Sequence, residues 1–191
     1  MTWVVYKAGK WGLKFDLVVI VLVQLAGIAW GSYALHQSRP YFMVFTVDRF
    51  EVLSALDVDP SSVGNPEFTD KPFSRPILLY ANMPKAGPEF QKLLQEVMFE
   101  GKPDLQFRPE FWSLYEERQL LALQVSHPLV KLREARPESV AAIDKLVKNN
   151  GADIAALNYV PAMLPNGEFA AILDARSGEL IDALVIDPWV N

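Results

Sequence analysis

The longest run of apolar residues extends from Leu17 to Leu35 and contains no side chain that is charged at neutral pH. As a helix that rises about 1.5 Å per residue, this run covers about 28 Å, close to the roughly 30 Å hydrocarbon thickness of a bilayer. We therefore predict a transmembrane helix over residues 17–36. Two alternatives fit less well, because a secretory signal peptide has a shorter apolar core and helices of soluble cores seldom stay apolar on every face.

Residues 37–191 alternate between strand-like and helix-like patterns, which predicts one mixed helix/sheet domain of the α+β class. Residues 41–47 are mostly β-branched or aromatic and are apolar at both parities, so we expect a central strand that is covered on both faces. Further strands are predicted at 77–80, 157–164, 169–173 and 180–186, which gives the domain a C-terminal β-hairpin.

Helix signals occur three times in this domain. The first helix begins at Pro88, and its predicted buried stripe consists of Phe90, Leu93, Leu94, Val97 and Met98. The second helical region covers residues 109–125, and the third helix begins at Pro137. Residues 57–76 are rich in Pro, Ser, Gly and Asp, so we predict a long surface loop that is a candidate for partner contact.

Basic residues are concentrated before the predicted span. Lys7, Lys10 and Lys14 precede it together with one acid, Asp16, whereas the whole chain has 18 Lys and Arg against 23 Asp and Glu. Lys and Arg are retained on the cytoplasmic side during insertion, so we expect a cytoplasmic N-terminus and an exported C-terminal domain. The acidic balance of that domain argues against a nucleic-acid-binding surface.

Residues 1–16 form a basic segment that opens with the apolar run from Trp3 to Tyr6. Two interpretations stay open for this run. It is either the end of an earlier membrane helix that returns to the cytoplasm at Lys7, or an interfacial lead-in to the span.

One face of the predicted span carries small and polar residues at spacings of three and four, namely Gln24, Gly27, Gly31 and Ala34. A GxxxG spacing lets two helix backbones approach closely, and an amide beside it can hydrogen-bond across the contact. We interpret this face as a candidate partner-binding site. Passive packing in the bilayer is the alternative.

The chain lacks the residue patterns of common catalytic and metal sites. It has no cysteine and two histidines, His36 and His127, and it contains no paired-histidine metal motif, nucleophile elbow or phosphate-binding glycine loop. A fold could bring together carboxylates such as Asp48, Asp174 and Asp182 for acid/base chemistry. With 23 acidic residues in the chain, however, some carboxylates are expected to lie close together by chance. We therefore expect a binding protein with no enzymatic activity and no cofactor or metal.

Several motifs resemble the type IV pilin accessory proteins of Gram-negative bacteria. The most specific is an Arg-Pro pair followed by the run VFTVDRFEV, and shorter matches lie before the span and at the end of the chain. The motif residues are Arg39, Pro40, Asp48, Arg49, Phe50, Asp187, Pro188 and Trp189. The resemblance covers most of the chain.

Members of that family are inner-membrane proteins that assist the assembly of a pilin into pili and have no known enzymatic activity. The resemblance therefore implies a type IV major pilin, inner-membrane lipid and other pilus assembly proteins as partners, with the C-terminal domain in the periplasm. Family members usually have further hydrophobic helices upstream, and Met1 falls where the preceding helix would be ending. We therefore expect either that an N-terminal portion with these helices is missing or that the start was misassigned. Two alternatives stay open: a tethered sensor or envelope-binding domain, which predicts an apolar pocket, and a tethered hydrolase, which predicts paired carboxylates in a cleft.

Overall fold

The computed structural model describes residues 13–69 and 75–190. The chain divides after Arg39 into two compact units, Met1–Arg39 and Pro40–Asn191. Most of the predicted cytoplasmic segment, residues 1–12, lies outside the described residues.

The first unit contains a long helix, α1, over Leu13–Gln37. Within the described residues it is the one helix that is long and apolar enough to cross a membrane, over Phe15–Gln37. Its apolar residues surround the helix on all sides, as expected for a helix in lipid. The helix ends where the backbone N–H and the hydroxyl of Ser38 both donate to the carbonyl of Ala34, at 3.0 and 2.9 Å.

The second unit is built on a mixed sheet. In the described residues its strands are β1 (Pro40–Thr46), β2 (Arg49–Ser54), β3 (Ile77–Ala81), β4 (Trp112–Leu114), β5 (His127–Pro128), β6 (Leu157–Leu164), β7 (Gly167–Asp174) and β8 (Leu180–Leu184). The strand order is β4-β3-β1-β2-β6-β7-β8, with β5 paired to β6. The β1–β3 and β2–β6 pairs are parallel, and the other pairs are antiparallel.

Strand β1 lies in the interior of the sheet, as its sequence predicts. It pairs with β2 on one side and β3 on the other. Phe42 and Val44 enter one core cluster, whereas Met43 and Phe45 enter another on the opposite face, because successive side chains of a strand point to opposite faces. The prediction of a strand covered on both faces is confirmed.

Four α-helices in the described residues of the second unit cover the sheet: α2 (Pro88–Phe99), α3 (Gln119–Leu123), α4 (Leu129–Ala135) and α5 (Val140–Asn149). On the first face, Leu93 of α2 packs near β1 and β3, and Leu132 and Ile143 of α4 and α5 pack near β6 and β7. On the second face, Ala122 of α3 and Tyr115 complete the cluster around Phe50. An N-terminal apolar helix followed by an α+β domain that ends in antiparallel strands confirms the predicted fold class.

Residues 109–125 do not form one helical region, which corrects that prediction. A 3-10 turn at Pro109–Phe111 leads into β4, and α3 follows a second turn at Tyr115–Glu117. Strand β4 pairs with the outer edge of β3, which satisfies backbone groups of β3 and buries Trp112. These tertiary contacts outweigh the local helix-start signal of Pro109 and Glu110.

Helix α2 begins at the predicted proline, but part of its predicted stripe faces outward. Leu93 is buried and Val97 is half-buried, whereas Leu94 and Met98 are 41% and 68% exposed. The inward position between Leu93 and Val97 is taken by Glu96, which is buried in ion pairs. These ion pairs offset the cost of burying the carboxylate, and with Glu96 turned inward two of the apolar positions lie on the outside.

The loop predicted over residues 57–76 is partly a core element. Its described residues, 57–69 and 75–76, include 3-10 turns at Pro60–Ser62 and Pro66–Phe68. Three of its apolar side chains are buried in the first-face cluster beside β1 and β3: Val58, Val63 and Phe68. This segment is therefore anchored, not a free surface loop.

Candidate protein-binding surfaces

The predicted helix face is formed in α1. Gln24, Gly27, Gly31 and Ala34 are helical residues at spacings of three and four, so they lie on one side of the helix. In the described part of the first unit, no heavy atom beyond the adjacent helix backbone lies within 4 Å of a Cβ built at Gly27 or Gly31. The surface at these glycines is therefore open to a close approach by another backbone.

The strongest motif of the sequence divides between core and surface. Phe50 is fully buried, and its ring centroid lies 5.1 Å from that of Phe45 and 5.3 Å from that of Tyr115. Pro40 opens β1, and Arg39 is the last residue of the first unit. Phe50 thus has a structural role, whereas Arg39, Pro40 and the turn that precedes Phe50 are exposed.

Val47 and Asp48 form that turn between β1 and β2, and Thr46 pairs with Arg49 across it. Val47 has a φ of 28°, a region that β-branched residues avoid, and its side chain is 61% exposed. Glycine is favoured at the first position of a two-residue hairpin turn with this backbone. Backbone strain of this kind is concentrated at functional surfaces, which makes the turn a candidate contact region.

A groove of about 240 Å³, which we call the α2 groove, is lined by this turn, by α2 and by the segment that follows α2. Its lining residues are Thr46, Val47, Asp48, Arg49, Glu51, Met83, Leu93, Leu94, Val97, Asp104, Leu105 and Gln106. Met83 is 44% exposed, and next to Leu94 along α2 the side chains of Met98 and Phe99 are 68% and 79% exposed. Leu94 belongs both to the lining of the groove and to the exposed side of α2.

The charged residues that line the α2 groove give it an acidic rim, because its one basic residue is paired and two of its acidic residues are not, within the part of the chain that the structure describes. Arg49 Nε donates to Glu51 Oε1 at 2.8 Å, so these two side chains neutralise each other. Asp48 and Asp104 are exposed, and among the described residues neither side chain has an ion pair or a hydrogen bond. The groove thus combines an apolar floor with two uncompensated carboxylates.

Buried ion pairs fix the orientation of α2 beside the groove. The Glu96 carboxylate accepts hydrogen bonds from Lys102 Nζ at 2.9 Å and from Arg108 Nη1 at 2.7 Å. Arg108 Nε also donates to Glu110 at 2.8 Å. The hydrogen bonds from Lys102 and Arg108 lower the pKa of the Glu96 carboxyl, so the carboxylate is ionised at neutral pH.

A second groove, of about 410 Å³, lies on the second face and includes the edge strand β8. Its lining is mostly apolar and consists of Pro40, Met43, Val52, Arg75, Pro76, Leu78, Leu164, Phe169, Leu180, Ile181, Asp182 and Ala183. Asp182 accepts hydrogen bonds from Asn150 at 3.1 Å and from the backbone N–H of Ala183 at 2.8 Å. The bond to Asn150 turns the Asp182 carboxylate towards the end of α5 on the first face, and a charge on an edge strand disfavours pairing with another strand.

The closing motif is a structural clasp. The Arg136 guanidinium contacts the Asp187 carboxylate, its Nε donates to the Asp187 carbonyl at 3.2 Å, and its Nη2 donates to the Trp189 carbonyl at 2.6 Å. Pro188 between them is buried, and Trp189 Nε1 donates to Glu168 Oε2 at 2.7 Å. These contacts fasten the C-terminal segment to the domain and explain all three motif residues without a partner.

Carboxylates and metal-ligating side chains do not assemble into a metal site in the part of the chain that the structure describes, where no three His, Asp or Glu residues are placed to hold an ion. Asp174 accepts hydrogen bonds from the backbone N–H groups of Ser177 and Arg176, at 2.8 Å each, which lower its pKa and close its turn. The expected lack of a metal, a cofactor and an enzymatic activity stays a prediction.

Sequence reasoning missed the α2 groove. Leu94 and Met98 fit an apolar stripe, so their pattern alone assigns them to the core. One signal was available in the sequence. Glu96 is three residues after Leu93, so a helix that buries Leu93 also turns Glu96 inward and leaves Leu94 and Met98 outside. The second signal was Val47, an apolar residue at the turn between two strand patterns, which marks an apolar side chain at the margin of the groove.

The chain is similar to two fimbrial assembly proteins of Dichelobacter nodosus. It is 28% identical to the serogroup I protein and 26% identical to the serogroup E1 protein, in both cases over 179 residues that cover 92% of this chain and 64% of the relative. The chain therefore spans somewhat less than two thirds of the length of these curated relatives. No protein-family model and no solved structure matches the chain.

This likeness is distant, and it supports a relationship to a family concerned with pilus assembly. It covers so much of the chain that it includes residues of both units. The resemblance seen in the sequence motifs is supported to that extent. The expectation that further hydrophobic helices precede this chain stays a prediction.

Proposed function

We propose that the chain acts in pilus assembly as an inner-membrane accessory factor that binds a type IV pilin before the pilin enters the pilus. The observation that carries this proposal is the likeness, over 92% of the chain, to proteins named as fimbrial assembly proteins. The apolar helix α1 supports a membrane anchor, and the basic residues before it support a periplasmic domain.

In this proposal the pilin is held at two places. An unassembled pilin sits in the inner membrane through an apolar helix, with its globular part outside. The face of α1 that carries Gln24, Gly27, Gly31 and Ala34 packs against that helix, because glycines permit close backbone contact and the amide adds an interhelical hydrogen bond. The periplasmic domain makes the second contact, and both must be weak enough to release the pilin.

The proposed role is binding without catalysis. Acidic residues that were candidates for acid/base chemistry include Asp174 and Asp182, and both side chains are engaged in structural hydrogen bonds. The carboxylates of the α2 groove belong to an apolar surface with an acidic rim, which suits a protein partner. A chaperone-like factor needs complementary surfaces only.

The experiment is in-cell crosslinking and pull-down of the tagged full-length chain from cells that also make the pilin, with partners identified by mass spectrometry. The test variant carries Gly27→Ile and Gly31→Ile, which place bulk on the proposed contact face. The matched control carries Ala26→Ile and Ala29→Ile, which add similar bulk on other sides of the same helix. We expect the glycine variant to retain less than about a fifth of the pilin, which corresponds to a loss of about 1 kcal/mol of binding free energy. The alanine variant should retain most of the pilin.

Equal pilin recovery from both variants would remove the helix face from the proposal. Recovery of no pilin with the unaltered chain would remove pilin binding as a whole. The periplasmic domain alone, residues 40–191, run beside the full chain, reports whether α1 is needed for capture.

One observation favours a second candidate, a tethered sensor or envelope-binding domain. The groove of about 410 Å³ on the second face is mostly apolar and has Arg75 in its lining, which is the kind of site that a small ligand occupies. The same pull-down separates the two candidates. Recovery of cell-wall or unrelated envelope components in place of pilin favours the sensor.

A further inference from the structure

We infer that the α2 groove is the docking site for an amphipathic helix of the protein partner, with an apolar ridge flanked by Lys or Arg. This inference rests on the proposed function for the identity of the partner. It adds the surface of the periplasmic domain and the chemistry of the segment that binds there. Shape, charge and strain at the groove each support it.

The outer side of α2 has the geometry that helix packing requires. Phe90, Leu94 and Met98 follow each other at intervals of four residues and form one ridge along the helix. Phe90 is half-buried, and the other two are exposed by 41% and 68%. A second helix packs against such a ridge by placing its own side chains on either side of it.

The groove beside this ridge receives an apolar anchor. Its floor contains Leu93 and Val97, and Met83 and Val47 stand at its margin. When a concave apolar site lies beside an apolar ridge, one large side chain of the partner can fill the concave site and supply much of the binding free energy.

The charges around the groove select a basic partner. Asp48 and Asp104 are exposed and uncompensated among the described residues, whereas Arg49 is already paired with Glu51. A helix with Lys or Arg beside its apolar ridge meets these carboxylates with opposite charge. A second copy of this chain would bring acidic rims together, and an anionic lipid surface would be repelled, so the charge pattern disfavours both.

The strained turn provides an independent indication. Val47 keeps an apolar side chain exposed at a φ of 28°, where glycine would relieve the strain. A turn that serves stability alone gains nothing from this residue. A turn that contacts an apolar partner gains a rigid, outward-pointing side chain.

The test places a photo-reactive benzoylphenylalanine at Leu94 in the full-length chain, in cells that also make the pilin. Crosslinked peptides are identified by mass spectrometry, and Met98, which is 68% exposed, serves as a second crosslinking position if the first variant is poorly produced. We expect crosslinks to a pilin segment with helical apolar periodicity and flanking Lys or Arg. A crosslinked segment that is acidic or lacks that periodicity overturns the inference.

Charge reversal tests the rim. Asp48→Lys together with Asp104→Lys should lower the crosslink yield at position 94 at least about fivefold, because the rim then repels the partner. Glu134→Lys together with Glu138→Lys makes the same change in net charge at exposed positions outside the groove and should leave the yield unchanged. Changing the crosslinked basic residue of the partner to Glu should restore the yield with the reversed rim. Equal yields in all variants overturn the inference.

The outcomes also separate this inference from the proposed function. A crosslinker at Gln24 that captures pilin, combined with none captured at positions 94 and 98, leaves the proposed function standing and removes the docking site. Crosslinks at position 94 to phospholipid or to a second copy of the chain also remove it. No pilin at any of these positions removes both.

Discussion

Arg136, just after α4, holds Asp187, which lies beyond the last strand and 51 residues further along the chain. The guanidinium contacts the carboxylate, and its other N–H groups bind the carbonyls of Asp187 and Trp189. The planar fork of an arginine makes several such bonds at once, which the point charge of a lysine does not.

Arg136→Lys should therefore lower the free energy of unfolding by about 1 to 2 kcal/mol although the charge is kept. Thermal or urea unfolding of the full chain measures it. Arg133→Lys, which alters the exposed pair with Asp144, is the matched control and should have a clearly smaller effect. Equal effects of the two substitutions would mean that the clasp adds nothing beyond an ordinary surface pair.

Gly178 should not tolerate a side chain. Its φ is +77°, and a Cβ built there lies 2.5 Å from the carbonyl oxygen of Gln119. Gly178→Ala should cost at least about 2 kcal/mol of unfolding free energy, since both the backbone and the neighbouring carbonyl must move. Gly167→Ala, where a Cβ meets no atom within 4 Å, should be nearly neutral in the same denaturant titration.

The buried Glu96 should contribute to the acid sensitivity of the domain. Hydrogen bonds from Lys102 and then Arg108 lower its pKa in the folded state. In the unfolded state its pKa is close to the usual value of about 4.3, so its stabilisation is complete above that pH and is lost as the pH falls towards the folded-state pKa.

Glu96→Gln should consequently be less stable at pH 7 and lose less stability than the unaltered chain below about pH 4.3. Unfolding curves measured from pH 7 to pH 3 test this. Glu89→Gln, at an exposed position of the same helix, controls for the loss of one carboxylate. Parallel stability profiles for the Glu96→Gln variant and the unaltered chain would contradict the assignment.

Val47→Gly should separate stability from binding. Glycine relieves the strain at a φ of 28°, and we expect the free energy of unfolding to rise by up to about 1 kcal/mol. Loss of the exposed side chain should at the same time lower pilin recovery in the pull-down. Val185→Gly, at a residue that is 86% exposed just after β8, should give neither effect.

A Val47→Gly chain that is more stable and still recovers pilin in full would identify the strain as incidental. A chain that is destabilised would show that the Val47 side chain makes packing contacts that outweigh the strain.

Local patterns in the sequence determined much of the architecture. The apolar run of α1, the double-sided strand β1 and the C-terminal hairpin of β7 and β8 each depend on a pattern within a few residues, and each is present as expected. The helix face of Gln24, Gly27 and Gly31 follows from spacing alone, because it requires nothing but a regular helix.

Tertiary structure decided the rest, because these features depend on residues that are far apart in the chain. Strand β4 forms because β3, an element much earlier in the chain, presents an edge to it. The outward position of Leu94 follows from Glu96, whose burial depends on Arg108 twelve residues later. The apolar pattern of α2 correctly indicates an amphipathic helix, but which apolar residues stay outside was set by long-range ion pairs that no local pattern contains.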